Sequence, residues 1–290
     1  MKILITGGSG LLGQYLNVVL SKNNKILTLY NTNLGNCGYF YSQKINLLDH
    51  KELHNIFNNF NPDAVMHTAA ISHPILPKGV SSKDVFDINV TATKHIAELC
   101  DKFNAKLIYT STDLVYAGYR GSMLKEDAKL IPVSLYAETK LMGEIKIQKT
   151  FNNFIIIRLA LLFGYGLWHS KNHYKLMLKD LGQGKQVKLF EDQYRTPISL
   201  IEAARIINEL VDKNIKSEII NFGGIERVSR YEFGERLCEM INYDKALLVK
   251  IKMDDVPNLP KVEDVSMDTT KLQSFGIKQR NIEDMIFELL

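Results

Sequence analysis

Tyr136 and Lys140 stand four residues apart in the run Tyr136-Ala137-Glu138-Thr139-Lys140. On a helix, that spacing sets a phenol and an ammonium on one face, one turn apart. A free phenol titrates at about 10, too high for proton transfer at neutral pH, and a nearby cation lowers it. Upstream, Ser111 and Thr112 close the run Lys106-Leu107-Ile108-Tyr109-Thr110. A hydroxyl there can meet a carbonyl lying beside Tyr136. The roles expected are Tyr136 as proton donor to a developing alkoxide, and Lys140 as the charge that tunes the phenol and holds ribose hydroxyls. Thr112 orients the carbonyl and stabilises its charge, with Ser111 and Thr112 as substrate contacts. A Tyr-x-x-x-Lys spacing arises by coincidence on many helices, so its weight depends on what else the chain supplies.

It supplies a glycine turn. Gly7-Gly8-Ser9-Gly10-Leu11-Leu12-Gly13 directly follows the apolar run Lys2-Ile3-Leu4-Ile5-Thr6. Leu11, Leu12, Tyr15, Leu16, Val19 and Leu20 then recur at helical spacing. Strand, glycine turn and helix in that order form a dinucleotide fingerprint. Gly7 permits the turn, Gly10 lets backbone approach a pyrophosphate, and Gly13 lets helix and strand pack closely. The amides of Leu11 and Leu12 open the helix, where free N–H groups and the dipole favour phosphate. The second strand, Ile26-Leu27-Thr28-Leu29-Tyr30, ends in Asn31-Thr32-Asn33, with no acid until Asp49. An NAD site usually carries an acid there. Its absence, with Asn31 able to donate to a 2′-phosphate, favours NADPH and leaves NADH usable.

The elements that must position these groups alternate. Lys44-Ile45-Asn46-Leu47, Ala64 to Ala70, Lys106 to Ser111 and Phe154 to Leu159 read as strands. His50 to Phe60 and Val85 to Phe103 read as helices between them. The small residues Ala69 and Ala70 leave room for a nicotinamide ribose at the strand end. The fold expected is α/β: a doubly wound, Rossmann-type parallel sheet with a smaller C-terminal α/β substrate lobe. Residues 1–163 plus about 192–224 make the first unit, and about 164–191 plus 225–290 the second. In that lobe, His173 to Leu181 and Ser229 to Ile241 read as helices, the latter with a Ser229 cap and Glu232 three residues on. Val256-Pro257-Asn258-Leu259-Pro260 reads as a linker that lines the pocket. Arg195 is the candidate for a diphosphate contact, because a guanidinium forks onto phosphate oxygens.

Thr6 to Gly13, His67-Thr68-Ala69-Ala70, Asp87-Ile88-Asn89-Val90, Ser111-Thr112-Asp113-Leu114-Val115-Tyr116 and Tyr136 to Lys140 together resemble the extended short-chain dehydrogenase/reductase family. Asp192-Gln193-Tyr194-Arg195-Thr196-Pro197 and Asp268 to Leu272 before Phe275-Gly276-Ile277 resemble its dTDP-4-dehydrorhamnose reductase branch. That branch reduces the 4-keto group of a nucleotide-linked 6-deoxyhexose. The resemblance implies Thr112, Tyr136 and Lys140 as catalytic set and extends the cofactor contacts to Asn46, Leu47, Ala70 and Asn89. Two segments depart from the branch, Ile71 to Pro77 and Gly166-Leu167-Trp168-His169. His67 reads as a strand-end residue and His73 as a loop residue rather than as acids. A 4,6-dehydratase needs Glu where Leu114 stands, so elimination is discounted. The alternatives kept are an NAD-dependent nucleotide-sugar epimerase, and a non-catalytic NADP-binding subunit like the regulatory β-subunit of methionine adenosyltransferase.

Composition agrees. At 46% hydrophobic and 23% charged residues, the 290-residue chain can bury an ample core. A net charge of +4, dispersed along the chain, suits anionic small molecules and gives no nucleic-acid footprint. Three cysteines without ligand spacing, no apolar run long enough for a membrane and a first strand starting at Ile3 lead to the expectation of a cytoplasmic protein without a metal. The apolar faces of Val85 to Cys100 and Ser134 to Ile147 allow a homodimer.

Overall fold

The computed structural model describes residues 1–72, 78–168, 172–257 and 260–290. His73, His169, Asn258 and Leu259, named above from the sequence, lie outside the described residues. A seven-stranded parallel sheet forms the centre. Its strands are β1 (Lys2–Thr6), β2 (Lys25–Tyr30), β3 (Ser42–Lys44), β4 (Ala64–His67), β5 (Lys106–Thr112), β6 (Phe154–Leu159) and β7 (Glu218–Phe222). Their spatial order is β7-β6-β5-β4-β1-β2-β3. The direction of strand connection reverses beside β1, and a crevice at the carboxyl ends of β1 and β4 marks that switch point. Ile3, Leu4 and Ile5, and Val65 and Met66, are wholly buried on both faces of the sheet, which explains their unbroken apolar runs.

Helices cover each face. On one side lie α1 (Leu11–Leu20) and α7 (Leu200–Asp212); on the other lie α2 (His50–Phe60), α4 (Thr93–Lys102) and α5 (Leu135–Thr150). The helix expected from Val85 to Phe103 is interrupted. A short α3 (Ser82–Phe86) passes through a wide π-turn, Asp87–Ala92, before α4 begins. The third strand is also earlier than expected: β3 pairs Lys44 with Tyr30, and the ladder ends there. Ile45 and Leu47 then pack inward as loop residues. The fourth strand stops at His67 rather than Ala70, because the turn at Gly7 meets the chain at Ala69.

In the C-terminal part, α6 (His173–Gly182) and α8 (Arg230–Ile241) pack around a parallel pair, Val187–Phe190 with Leu248–Ile251. One apolar cluster runs from Ile3 and Leu16 through Ile207 to Phe163, Leu189, Phe233 and Leu237. These C-terminal elements therefore share one apolar core with the sheet.

A buried ion pair ties α5 to the sheet. Glu144 receives the Nη2 of Arg158 at 2.9 Å, and both side chains are almost wholly buried. Arg158 also donates to the Tyr116 hydroxyl at 3.0 Å and to the Glu126 carbonyl at 2.8 Å. Removing one partner strands the other charge in the interior. Glu144→Gln is expected to lower unfolding free energy by about 3 kcal/mol, read as an earlier urea midpoint. An unshifted midpoint would show that the pair adds nothing net.

Candidate active site

Three segments converge at the carboxyl edge of the sheet. Thr112 is the last residue of β5, and its hydroxyl donates to the Asp113 carboxylate at 3.1 Å. Ser134 caps α5 by accepting from the Ala137 amide at 3.3 Å, which fixes Tyr136 in the first turn. The Thr112 hydroxyl faces the Tyr136 phenol. Burial, then the Asp113 carboxylate, hold that phenol above its ordinary range, while Thr112 pulls it down. Tyr136 is therefore a fully protonated donor across the neutral range, and the lowering expected from Lys140 is not found, because burial and Asp113 outweigh every downward pull on the phenol.

One turn on, Lys140 is 1% exposed and its Nζ has no hydrogen-bond partner among the described residues. It rests 4.0 Å from the centre of the Tyr109 ring. Burial pushes its titration down to about 7, against the pull of Glu144. A buried amine without a partner is costly. It is also poised to donate to hydroxyls brought in from outside.

A cavity of about 330 Å³ opens at the carboxyl ends of β1 and β4; Thr112, Tyr136 and Lys140 are not in its wall, which is tied to α5 through Ile71, Asn89 and Thr139. Of the residues expected to hold a dinucleotide, Gly7, Gly10, Asn31, Leu47, Ala69 and Ala70 line it. Gly7 adopts φ +69°, and a Cβ there would lie 2.7 Å from the Ala69 amide. At Gly13 a Cβ would meet the Gly7 carbonyl at 2.1 Å, so only glycine permits the approach. Gly10 caps α1 with no side-chain hydrogen bond and no acid in the first turn. The amides of Leu11 and Leu12 are thus left for a phosphate, while the Leu12 side chain is buried in the core. Asn31, Thr32 and Asn33 are exposed at the cavity wall, with no carboxylate among them.

Other expected residues are committed elsewhere. Ser111 alternates to the opposite face of β5 from Thr112, and its hydroxyl donates to Glu144, so it is not free for substrate. Asn89, expected to touch cofactor, accepts from the Ile71 amide at 2.9 Å and donates to the Ile71 carbonyl and to Thr139. It braces the Ala70 loop against α5 from inside the π-turn, where such irregularities often serve sites. Asn46 is exposed and its carboxamide oxygen accepts from the Leu48 amide, away from the cavity wall. Arg195 is 7% exposed; its Nε lies 3.5 Å from Asp113 and its Nη1 donates to the Tyr194 carbonyl at 3.0 Å. It stands next to the reactive hydroxyl rather than out in solvent. His67 bridges Thr6 and Thr93 at 2.7 and 2.8 Å, and burial holds its titration at about 3. It is a neutral strand-end residue.

Sequence reasoning missed three features. Asp113, weighed only for elimination, is the buried partner of both Thr112 and Arg195. Arg230, the first residue of α8, lies near enough to feel both the Arg195 guanidinium and the Asp113 carboxylate. The Gly166 segment is tied to α1: Tyr15 donates to the Tyr165 carbonyl at 2.8 Å and Gln14 to that of Leu167 at 3.1 Å. No group of His, Cys, Asp and Glu side chains suited to a metal occurs among the described residues.

The chain belongs to the family described as RmlD substrate binding domain, a branch of the extended short-chain dehydrogenases/reductases, which matches residues 1–290. Among its relatives, the methionine adenosyltransferase 2 subunit beta of Pongo abelii is 25% identical over 288 residues, covering 96% of this chain and 84% of that one. The dTDP-4-dehydrorhamnose reductase of Aggregatibacter actinomycetemcomitans is 26% identical over 289 residues, covering 96% and 94%. The dTDP-4-dehydrorhamnose reductase of Bacillus anthracis, solved in complex with NADP, superposes with a TM-score of 0.85 at 20% identity, covering 99% and 98%.

Proposed function

We propose that this chain reduces the 4-keto group of a nucleotide-linked deoxysugar with NADPH, as the dTDP-4-dehydrorhamnose reductases do, in the making of surface polysaccharide sugars. NADH is an admissible substitute. The observation that carries this reading is the Thr112–Tyr136–Lys140 set, with the Lys140 amine buried and unpartnered among the described residues, on a sheet whose glycine-lined cavity is tied to α5 through Ile71, Asn89 and Thr139. Gly7, Gly10, the amides of Leu11 and Leu12, Asn31, Ala69 and Ala70 would hold the dinucleotide, and Lys140 its ribose. A nicotinamide held there would supply the hydride that the carbonyl carbon accepts. Tyr136 donates a hydrogen bond to the carbonyl oxygen, the Thr112 hydroxyl turns from Asp113 to the same oxygen when substrate arrives, and the Tyr136 proton passes to the alkoxide as it forms. Lys140, charged below about pH 7, offsets the negative charge left on the phenolate. The fully satisfied Asn89 fixes α5 against the Ala70 loop, so the phenol and the cavity keep their spacing. On α4 the exposed positions Lys94, Glu98 and Asp101 are polar, but Phe86, Met142 and Ile145 beside and on α5 are exposed. That apolar set supports a homodimer through α5.

The expected result is loss of nicotinamide absorbance when the protein, NADPH and a dTDP-4-keto-6-deoxyhexose generated in place are mixed. GDP- and UDP-linked ketosugars run beside it. A second reading, a nucleotide-binding partner subunit without turnover, draws on the 25% identity to the adenosyltransferase β-subunit. Tight NADPH binding with no turnover of any ketosugar would favour it and sink the reductase reading.

A further inference from the structure

The Lys140 amine is buried, and its Nζ has no hydrogen-bond partner among the described residues. What it has instead is a ring. Its Nζ stands 4.0 Å from the ring centre of Tyr109, a residue of β5. An ammonium over an aromatic face is drawn to the negative side of the ring's quadrupole. Tyr109 is wholly buried and shares a face of β5 with Ser111, two residues on. Its hydroxyl donates to the Lys140 carbonyl at 3.4 Å, so ring and lysine are tied at both ends. Gly143, three residues beyond Lys140, makes room for that hydroxyl: a Cβ there would strike it.

The other ionisable groups around Lys140 are engaged or neutral. Glu144, one turn on in α5, is shared by Arg158 of β6 and Ser111 of β5. His67 of β4 is held neutral, chiefly by burial, and bonds Thr6 and Thr93. Tyr136 is protonated, and Asp113 after β5 faces Thr112 and Arg195. From the π-turn and α4, Asn89 and Thr93 face this side and carry no charge, while Asp87 pairs with Lys83. Burial, then the Glu144 carboxylate, hold the Tyr109 phenol well above its ordinary range. Tyr109 therefore stays neutral and trades no proton with the amine; what it offers is its face.

We propose that Tyr109 is a positioning residue: the face of its ring seats the Lys140 ammonium, and Gly143 lets the ring stand there. The ring does what a carboxylate would do badly. A carboxylate would accept hydrogen bonds from the ammonium and compete with incoming ribose hydroxyls for them. A ring face attracts the charge and leaves the N–H groups on the far side to donate. The proposal rests on the reductase reading only for the ribose that the amine would meet.

The test is the titration of Lys140 itself, followed by NMR on the full chain labelled at its lysine ε-carbons, without cofactor. Lys140→Met identifies the signal by its absence. Tyr109→Leu is expected to move the titration midpoint down by about one pH unit, and Tyr109→Phe to leave it in place. Gly143→Ala, which pushes the ring aside, is expected to move it down as well. If Tyr109→Leu does not fold, the double variant of Gly143→Ala with Tyr109→Phe decides. It removes the hydroxyl that the new methyl strikes, and its midpoint should return toward the wild-type value. Equal midpoints in wild type, Tyr109→Leu and Gly143→Ala overturn the proposal. An equal shift in Tyr109→Phe and Tyr109→Leu also overturns it, since the hydroxyl and not the ring would then be responsible. NADPH titrated into the same samples should bind about tenfold more weakly to Tyr109→Leu above both midpoints, because one pH unit is a tenfold change in the charged fraction. Shifted midpoints in a chain that binds no NADPH would uphold the seat and sink the reductase reading.

Discussion

Tyr136→Phe is expected to lower kcat by about 10²–10⁴-fold while leaving NADPH affinity within about twofold. The substitution keeps the ring and removes one hydroxyl, so packing of the first turn of α5 is preserved. The hydroxyl it removes faces Thr112 and stands in the field of Asp113. Both neighbours keep the phenol protonated or bonded, as a donor must be before reduction. Thr112→Val tests the other half of the pair. It is expected to cost about 10²-fold in kcat, the scale of one lost donor to a developing oxyanion. Single-turnover rates and cofactor titration on the same samples separate the two effects. If Tyr136→Phe lost NADPH binding and turnover in equal measure, the residue would be a cofactor contact and not the proton donor.

These residues are legible because their signals are local. The run Lys2–Thr6, the glycine turn and the period of α1 are set by neighbours in sequence, and β1 and α1 form there. Tyr136 and Lys140 need only a helix, and α5 provides it. What the sequence hides is which polar groups the fold uses up. Ser111, Asn46, Asn89 and Arg195 carry the right donors for ligand binding, but donors bind protein as readily as ligand. Ser111 is taken by Glu144, which lies 33 residues away, and Asn89 by Thr139, 50 residues away. No spacing rule reveals such pairings. The Asp113–Arg195–Arg230 group joins three separate segments, and only the strand pairing of Val228 with Arg195 brings the second guanidinium in. The end of β3 departs from expectation for a related reason. Ile45 and Leu47 are buried like strand residues, yet β2 ends at Tyr30 and offers no partner beyond it.

The same contrast between stability and use is sharpest at Lys140. Its folded titration, at about 7, lies below the value of about 10.4 expected in the unfolded chain. Between those values the unfolded chain holds more protons, so stability rises with pH across that interval. Below about 7 both states are charged, and the folded protein carries the full penalty of the buried ammonium. Lys140→Met removes the penalty. The variant is expected to be more stable than wild type at pH 6, by an amount on the order of a few kcal/mol, since each tenfold change in proton affinity is worth about 1.4 kcal/mol. The difference should close as pH rises from 7 toward 10, and NADPH affinity should fall at least tenfold throughout. Urea midpoints of cofactor-free protein at a series of pH values read the first effect, and cofactor titration the second. Parallel stability curves for the two proteins would mean that the Lys140 amine is not desolvated in the folded state. A stabilised variant that no longer holds cofactor would show that this amine is kept without a partner for the sake of its ligand, since a methionine fills the same space above Tyr109 without the penalty.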